Sequence, residues 1–233
     1  MDNPEIKAIL STRGGYGSVR IIDKLDFRQF LRFPKWFIGF SDITVFHSHL
    51  NSKLSIESLH AVMPIKFPQD GVPNKATESL RQALFGELET QSFVPSKVLH
   101  SGKVSGDLIG GNLSILYSLM GSESEMDFDG KILFIEDLDE YLYHIDRMLL
   151  NLKRAGKLKN LKGLIVGGMN DMNDNDISFG STAEQIIAEH VSEYNYPVVF
   201  GFPAGHIEDN RSLYLGRRVT LKVDSEITTL YFY

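Results

Sequence analysis

The sequence predicts an α/β fold with a mostly parallel sheet, followed by a second α/β domain that ends in antiparallel strands. Apolar runs of strand length alternate with segments of helical periodicity, which is the pattern of βαβ units. The chain has 233 residues, of which 42% are hydrophobic and 23% charged, so it can form one large domain or two small domains with cores of their own. We expect these domains to cover residues 1–95 and 96–233.

The first domain is predicted to alternate short strands with helices. In chain order its elements are a strand at 6–11, a helix at 18–25, a strand at 37–40, and helices at 44–54 and 76–85. A polar stretch that contains proline, residues 91–96, is the predicted linker to the second domain.

The second domain begins with a glycine-rich segment at residues 102–111. Its predicted elements are helices at 112–120, 142–152 and 182–194, and strands at 131–135, 163–167 and 196–200. The tail alternates apolar and polar residues over 218–223 and 227–233, which predicts a closing hairpin.

Charge and composition exclude several classes of function. The formal net charge of -6 leaves no basic stripe for a phosphate backbone, so a small molecule or peptide is a better ligand than nucleic acid. No apolar run reaches the roughly 18 residues of a membrane span, and the first residues do not resemble a signal peptide. Cysteine is absent, which excludes disulfides and a thiol nucleophile. We therefore expect a cytoplasmic protein with no membrane partner.

Three polar residues, far apart in the sequence, each follow an apolar run: Ser41, Glu136 and His206. Catalytic side chains in α/β folds lie at such carboxyl ends of strands, where a crevice opens beside the sheet. A serine, a carboxylate and a histidine are the nucleophile, orienting acid and base of acyl transfer.

Each of these residues also has a structural interpretation. Between a strand and a helix, Ser41 is most simply an N-cap; Gly39 before it resembles a nucleophile elbow, although Ile43 replaces the second glycine of that motif. A lone histidine is more often structural than catalytic, but His206 lies in a tight loop that follows Gly205.

Several acids near Glu136 compete with it as the partner of His206. They are Asp137, Asp139 and Glu140, with Glu140 the second choice, and Glu136 itself could instead pair with Arg147. Glu136 is preferred because the sheet holds a residue at a strand end more firmly than a helical turn does.

The glycine-rich turn at residues 13–17 (RGGYG) lacks the features of a phosphate loop. Its better use is to expose backbone amides. The amide of Gly15, together with that of Asp42 after the nucleophile, is predicted to form an oxyanion hole.

An acidic segment at residues 171–176 superficially resembles a calcium loop. Asp176 stands where that loop needs glycine, and Thr182 where it needs a bidentate glutamate. We expect a solvated loop here, and no metal or organic cofactor.

Five motifs together resemble the LD-carboxypeptidase family of serine peptidases, over essentially the whole chain. In chain order they are RGGYG at 13–17, GFSDIT at 39–44, GGNLS at 110–114, IED at 135–137 followed by IDR at 145–147, and GH at 205–206 with DN at 209–210.

The resemblance implies a Ser-His-Glu carboxypeptidase that releases a terminal D-amino acid, such as D-alanine, from a cell-wall muropeptide tetrapeptide. It also implies a partial flavodoxin-like first domain and a homodimer. Asn112, Arg147 and Arg211 are candidates for holding the substrate's carboxylate. The alternatives are a microcin-immunity-type peptidase or amidase, and an inactive ligand-binding homologue.

The position of the RGGYG motif departs from the family pattern. Family members have about one more βαβ unit before this motif, which here begins at residue 13. We therefore expect that an N-terminal segment is missing and that apolar surface beside the first strand is exposed.

Overall fold

The computed structural model describes all 233 residues and contains two sheets flanked by helices. The strands are β1 (Ala8–Leu10), β2 (Trp36–Gly39), β3 (Ser58–His60), β4 (Thr90–Phe93), β5 (Lys97–His100), β6 (Gly102–Asn112), β7 (Ile132–Leu138), β8 (Gly163–Asn170), β9 (Val198–Phe200), β10 (Leu213–Leu215), β11 (Arg218–Val223) and β12 (Thr228–Phe232). The α-helices are α1 (Ser18–Ile21), α2 (Arg28–Arg32), α3 (Thr44–Leu54), α4 (Lys75–Leu84), α5 (Leu113–Ser118), α6 (Leu142–Arg154) and α7 (Ala183–Val191).

The first sheet has the strand order β1-β2-β3-β10. Its first three strands are parallel, and β10 returns from the end of the chain to pair antiparallel with β3. Strand β1 is an edge strand, and its three residues are half-buried. Because the carboxyl ends of parallel strands meet at one edge, the loops after β1 and β2 lie together.

The second sheet has the order β4-β12-β11-β6-β7-β8-β9-β5. Strands β6 to β9 run parallel, whereas β11 and β12 form the predicted antiparallel hairpin. The long strand β6 joins these two parts because it pairs with β11 along its first half and with β7 along its second. The α/β class, with parallel and antiparallel strands, is therefore confirmed.

The two sheets share one apolar core. Its members include Leu59 of β3, Leu80 of α4, Phe134 of β7 and Tyr214 of β10, none more than 5% exposed. A second core lies under α5, α6 and α7 on the outer face of the parallel strands. Burial of apolar side chains from both sheets in one cluster holds the sheets in a fixed relation.

Two helices match the prediction from sequence closely. Helix α3 has the predicted bounds, and α6 buries Ile145, Leu149 and Leu152 as its spacing predicts. None of the helices is long and apolar enough to cross a bilayer.

The predicted linker at residues 91–96 is wrong in its first half, because Thr90–Phe93 forms strand β4. Gln91 and Phe93 are buried while their neighbours are exposed, which is the alternation of a strand with one covered face. Strand β4 pairs with β12, so it lies in the second sheet although it precedes the predicted boundary at residue 95.

The glycine-rich segment before α5, to which the sequence assigned no element, forms most of strand β6. Its glycines are needed for close approach: a Cβ on Gly110 would lie 1.8 Å from the carbonyl oxygen of Phe134. Glycine is unfavourable in strands in general, so the glycine-rich composition of residues 102–111 did not predict this strand.

Candidate active site

Ser41 lies at a sharp turn directly after β2. Its φ of 65° is in the left-handed region, which costs a non-glycine residue about 1–3 kcal/mol and is typical of functional sites. Two glycines make room for the turn. A Cβ on Gly39 would lie 2.9 Å from Ile43, and one on Gly14 would lie 2.9 Å from the Cβ of Ser41.

The side chain of Ser41 does not cap the helix that follows. Neither the short 3-10 turn at Ser41–Ile43 nor α3 has a side-chain cap hydrogen bond. The Oγ of Ser41 instead lies 3.1 Å from the Nε2 of His206. The geometry therefore matches the nucleophile interpretation of this serine rather than the N-cap interpretation.

His206 joins Ser41 to Glu136. Its Nδ1 lies 2.6 Å from the Oε2 of Glu136, and its backbone amide donates to the same oxygen at 3.2 Å. With the proton on Nδ1, the ring donates to the carboxylate, and Nε2 is free to accept the hydroxyl proton of Ser41. The imidazole is 15% exposed and the carboxylate is fully buried.

Glu136 lies inside strand β7, which continues to Leu138 instead of ending at residue 135 as predicted. A register shift between Ile135 and Asp137 interrupts the pairing of β7 with β8 at this residue. Gly205, at φ 110°, brings its loop against the carboxylate, because a Cβ there would lie 2.7 Å from the Cβ of Glu136.

The environment of His206 changes its basicity. Burial by itself would lower the pKa of His206. The hydrogen bond to Glu136 and the negative charges of Glu136 and Asp137 outweigh burial, and the pKa lies above its ordinary value. A buried carboxylate therefore makes the imidazole a stronger base.

Asp137, the residue after Glu136, has a different role in the structure. Burial is the main cause that raises the pKa of Asp137 to about 7, and the negative charge of Glu136 is the second. Asp137 accepts hydrogen bonds of 2.8 Å from the Nδ2 of Asn112 and from the amide of Ser114. Asp137 thus fixes the beginning of α5, a contact that the sequence analysis missed.

Asn112 is 5% exposed, and both ends of its side chain are bonded. Its Nδ2 donates to Asp137, and its Oδ1 accepts from the amide of Ile115 as the N-cap of α5. Its backbone amide donates to the Oγ1 of Thr44, at the start of α3, over 3.0 Å. Asn112 therefore links β7, the strand that carries Glu136, to α3, the helix that follows Ser41.

The glycine turn at residues 13–17 lies against the nucleophile turn. The carboxylate of Asp42 accepts a hydrogen bond of 2.9 Å from the amide of Ser18, which ties the two turns together. Gly15 has a φ of 124°, and its amide has no hydrogen-bond acceptor in the structure. An amide in this position is available to a ligand.

The other predicted site residues lie apart from this hydrogen-bonded chain. Glu140 pairs with His144 at 2.6 Å, not with His206. Arg147 is on an exposed face of α6 with its guanidinium over the ring of Tyr143. Arg211 is in an ion pair with Asp209.

The acidic segment at 171–176 forms a local turn in which Asp174 accepts hydrogen bonds from Ser178 and from the amide of Phe179. The structure contains no group of three or more histidine and acidic side chains arranged to hold a metal ion.

A cavity of about 610 Å³ opens beside His206. A second cavity, of about 630 Å³, adjoins it, because Asn170 and Ile207 line both. The first cavity is lined by Phe40, Val62, Lys66, Pro68, Asn74, Leu138, Asn170, Asp171, His206, Ile207, Glu208 and Asn210.

Models of one protein family match both halves of the chain. The LD-carboxypeptidase N-terminal domain matches residues 1–61, and the LD-carboxypeptidase C-terminal domain matches residues 105–221.

Individual relatives agree with this match. A probable murein peptide carboxypeptidase of Bacillus subtilis is 35% identical over 221 residues, which is 93% of this chain and 69% of that protein. The murein tetrapeptide carboxypeptidase of Pseudomonas aeruginosa is 27% identical over 95% of this chain and 74% of its own length.

Solved structures show the same fold. A muramoyltetrapeptide carboxypeptidase from Oxalobacter formigenes superposes with a TM-score of 0.87 at 31% identity, over 99% of this chain and 80% of that one. The microcin C7 self-immunity protein MccF superposes with a TM-score of 0.86 at 23% identity, over 99% and 77% of the two chains, and supports the fold alone.

Proposed function

Because the chain belongs to the LD-carboxypeptidase family, and is thus a hydrolase of the carboxypeptidase type, we propose that it cleaves peptides with Ser41 as nucleophile, His206 as base and Glu136 as orienting acid. The observation that supports this most strongly is the continuous chain of hydrogen bonds from the Ser41 Oγ through the imidazole to a buried carboxylate.

In the first step, the Nε2 of His206 takes the hydroxyl proton as the oxygen of Ser41 attacks the scissile carbonyl carbon. The imidazolium then gives that proton to the leaving amine, and an acyl-enzyme remains. Water, deprotonated by the same nitrogen, attacks the acyl-enzyme and restores the serine hydroxyl.

Glu136 holds the histidine in the productive tautomer. Its oxygen accepts from the Nδ1 of His206, so that Nε2 faces Ser41 without a proton. When the imidazole becomes charged, the buried carboxylate stabilises it at short range in a low-dielectric environment.

The amides of Gly15 and Asp42 are the proposed oxyanion hole. Both belong to turns that meet at Ser41, and the amide of Gly15 has no acceptor of its own. Loss of one such donor typically raises the reaction barrier by roughly 3 kcal/mol.

The proposed reaction is release of a terminal D-alanine from a cell-wall muropeptide tetrapeptide. The names of the relatives from Pseudomonas aeruginosa and Oxalobacter formigenes support this substrate. Asn112 and Arg147 remain proposed substrate-binding residues. No cofactor enters the proposed mechanism.

A direct assay tests this proposal. The protein is incubated with a muropeptide tetrapeptide ending in D-alanine and, in parallel, with the epimer ending in L-alanine, and the products are followed by mass spectrometry. We expect loss of one alanine from the first substrate and little change in the second. An intact D-alanine peptide would contradict the proposed substrate.

A microcin-immunity-type peptidase or amidase is the second candidate, because the microcin C7 self-immunity protein MccF of Escherichia coli is 26% identical over 96% of this chain. A solved structure of MccF contains aspartyl sulfamoyl adenosine. The same assay with an aspartyl sulfamoyl adenosine separates the two. Cleavage of that compound with no release of alanine from the tetrapeptide would favour the second candidate.

We also propose that the protein is a homodimer in the cytoplasm, as the family resemblance implies. Light scattering after gel filtration measures the mass, and cell fractionation measures the location. The mass of a single chain at micromolar concentration, or recovery outside the cytoplasmic fraction, would contradict the proposal.

A further inference from the structure

The cavity beside His206 has one long basic side chain in its wall. Lys66 lines this cavity, is exposed, and forms no ion pair in the structure. The other charged groups of the wall, besides His206, are the carboxylates of Asp171 and Glu208. Lys66 is therefore the permanent positive charge that an anionic group meets in this cavity.

The backbone of Lys66 is fixed relative to the nucleophile. It ends a short turn, Pro64–Lys66, whose Ile65 amide donates to the carbonyl of Thr12 over 3.1 Å. Thr12 directly precedes the glycine turn that lies against Ser41. The lysine thus starts from a positioned turn, while its four-carbon side chain can adjust to a ligand.

The leaving group of a carboxypeptidase places strict demands on this region. Its amine must reach the Nε2 of His206 to be protonated, and only one carbon separates that amine from the free carboxylate. The carboxylate therefore lies a few ångströms from the imidazole. Lys66 meets this condition, since it lines the same cavity as His206 and its four-carbon side chain can bring the ammonium group to a carboxylate bound there.

The basic residues considered from the sequence meet the condition less well. Arg211 is neutralised by Asp209, and Arg147 lies over Tyr143 on an exposed helix face. Neither arginine lines the cavity beside His206.

We propose that the ammonium group of Lys66 binds the terminal carboxylate of the substrate and so restricts the enzyme to the last residue of a peptide. This inference rests on the proposed carboxypeptidase function. It assigns the leaving amino acid to the 610 Å³ cavity.

The test compares a tetrapeptide with its C-terminal amide, in wild type and in Lys66→Gln. For the free acid, we expect Lys66→Gln to lower kcat/KM roughly 10- to 100-fold, the range for loss of one hydrogen bond between charged groups. For the amide, which has no charge to bind, wild type and variant should be about equally slow. Lys66→Arg should recover part of the activity on the acid.

Lys103→Gln is the matched control, because Lys103 is an exposed lysine at the far end of β6 and should leave both rates unchanged. If Lys66→Gln lowers the rates on acid and amide equally, or changes neither, the inference is overturned.

A binding measurement separates this inference from the proposed reaction. Calorimetry with Ser41→Ala and with the double variant Ser41→Ala/Lys66→Gln measures the preference for acid over amide without turnover. Loss of that preference in the double variant supports Lys66 even if the wild type releases no alanine. An equal preference in both proteins, or none in either, overturns it.

Discussion

At the scale of single residues, the site combines a strained serine with a carboxylate that has no contact with solvent. Ser41 keeps a positive φ, and Glu136 is fully buried with its Oε1 unbonded. Both conditions cost stability, and both persist because Gly14, Gly39 and Gly205 allow the surrounding chain to close around them. Their joint effect is to aim one imidazole at one hydroxyl.

The choice between the two nearby glutamates gives the first prediction. Glu136→Gln should lower kcat by about 10³- to 10⁴-fold, because the amide favours the wrong tautomer of His206 and cannot stabilise the imidazolium. Glu140→Gln should change kcat only a few-fold, since Glu140 pairs with His144. Steady-state kinetics on the tetrapeptide decide the matter, and the reverse order of severity would place the triad acid at Glu140.

The second prediction concerns pH. His206 acts as a base only when neutral, and its pKa is raised above the ordinary value of 6.5. The kcat/KM of the wild type should therefore fall as the pH drops through a value above 6.5. In Glu136→Gln the remaining activity should fall at a lower pH, because burial then dominates and lowers the pKa. An acid limb that does not move would show that Glu136 does not set the basicity of His206.

At the scale of elements, close packing of β6 on β7 positions the acid strand. Gly110 has a φ of 131°, and the space for its missing side chain is filled by the backbone of Phe134. Gly111 is similarly close to Thr44, where a Cβ would lie 2.5 Å from the Oγ1. These two glycines let β7, which carries Glu136, and α3, which follows Ser41, both pack closely against the end of β6.

The third prediction follows from this packing. Gly110→Ala should destabilise the fold by several kcal/mol or prevent recovery of soluble protein, because backbone atoms cannot move aside. The control is Gly121→Ala, at φ 77° with open space around it, which should cost about 1 kcal/mol. Urea unfolding of both variants measures the difference, and similar midpoints would contradict the packing argument.

The spacing of apolar residues predicted most helices and the closing hairpin, because an element that buries one face repeats its apolar residues at a regular interval within its own segment. Strands β4 and β6 were not predicted because their pattern depends on partners far along the chain. Gln91 is buried in a strand because β4 pairs with β12. The glycines of β6 are required because this strand packs closely on β7.

At the scale of the whole molecule, the site exists only where the two sheets meet. Ser41 follows a strand of the first sheet, whereas Glu136 lies in the second and His206 lies in the loop between β9 and β10. The shared apolar core and the hydrogen bond from the amide of Asn112 to Thr44 fix the relative positions of these three segments. The three catalytic candidates were visible in the sequence as polar ends of apolar runs. The supporting contacts were not, because they join distant parts of the chain, as the bond between Asn112 and Thr44, 68 positions apart, does.

The central claim is that Ser41 is a nucleophile activated by His206, and covalent labelling tests it most directly. The wild type, Ser41→Ala, His206→Ala and Glu136→Gln are treated with a fluorophosphonate, and the modified residue is located by peptide mass mapping. We predict labelling of the wild type at Ser41, much slower labelling of the His206 and Glu136 variants, and neither labelling nor release of alanine by a folded Ser41→Ala protein. Alanine release by folded Ser41→Ala, or labelling of a different serine in the wild type, would contradict the claim.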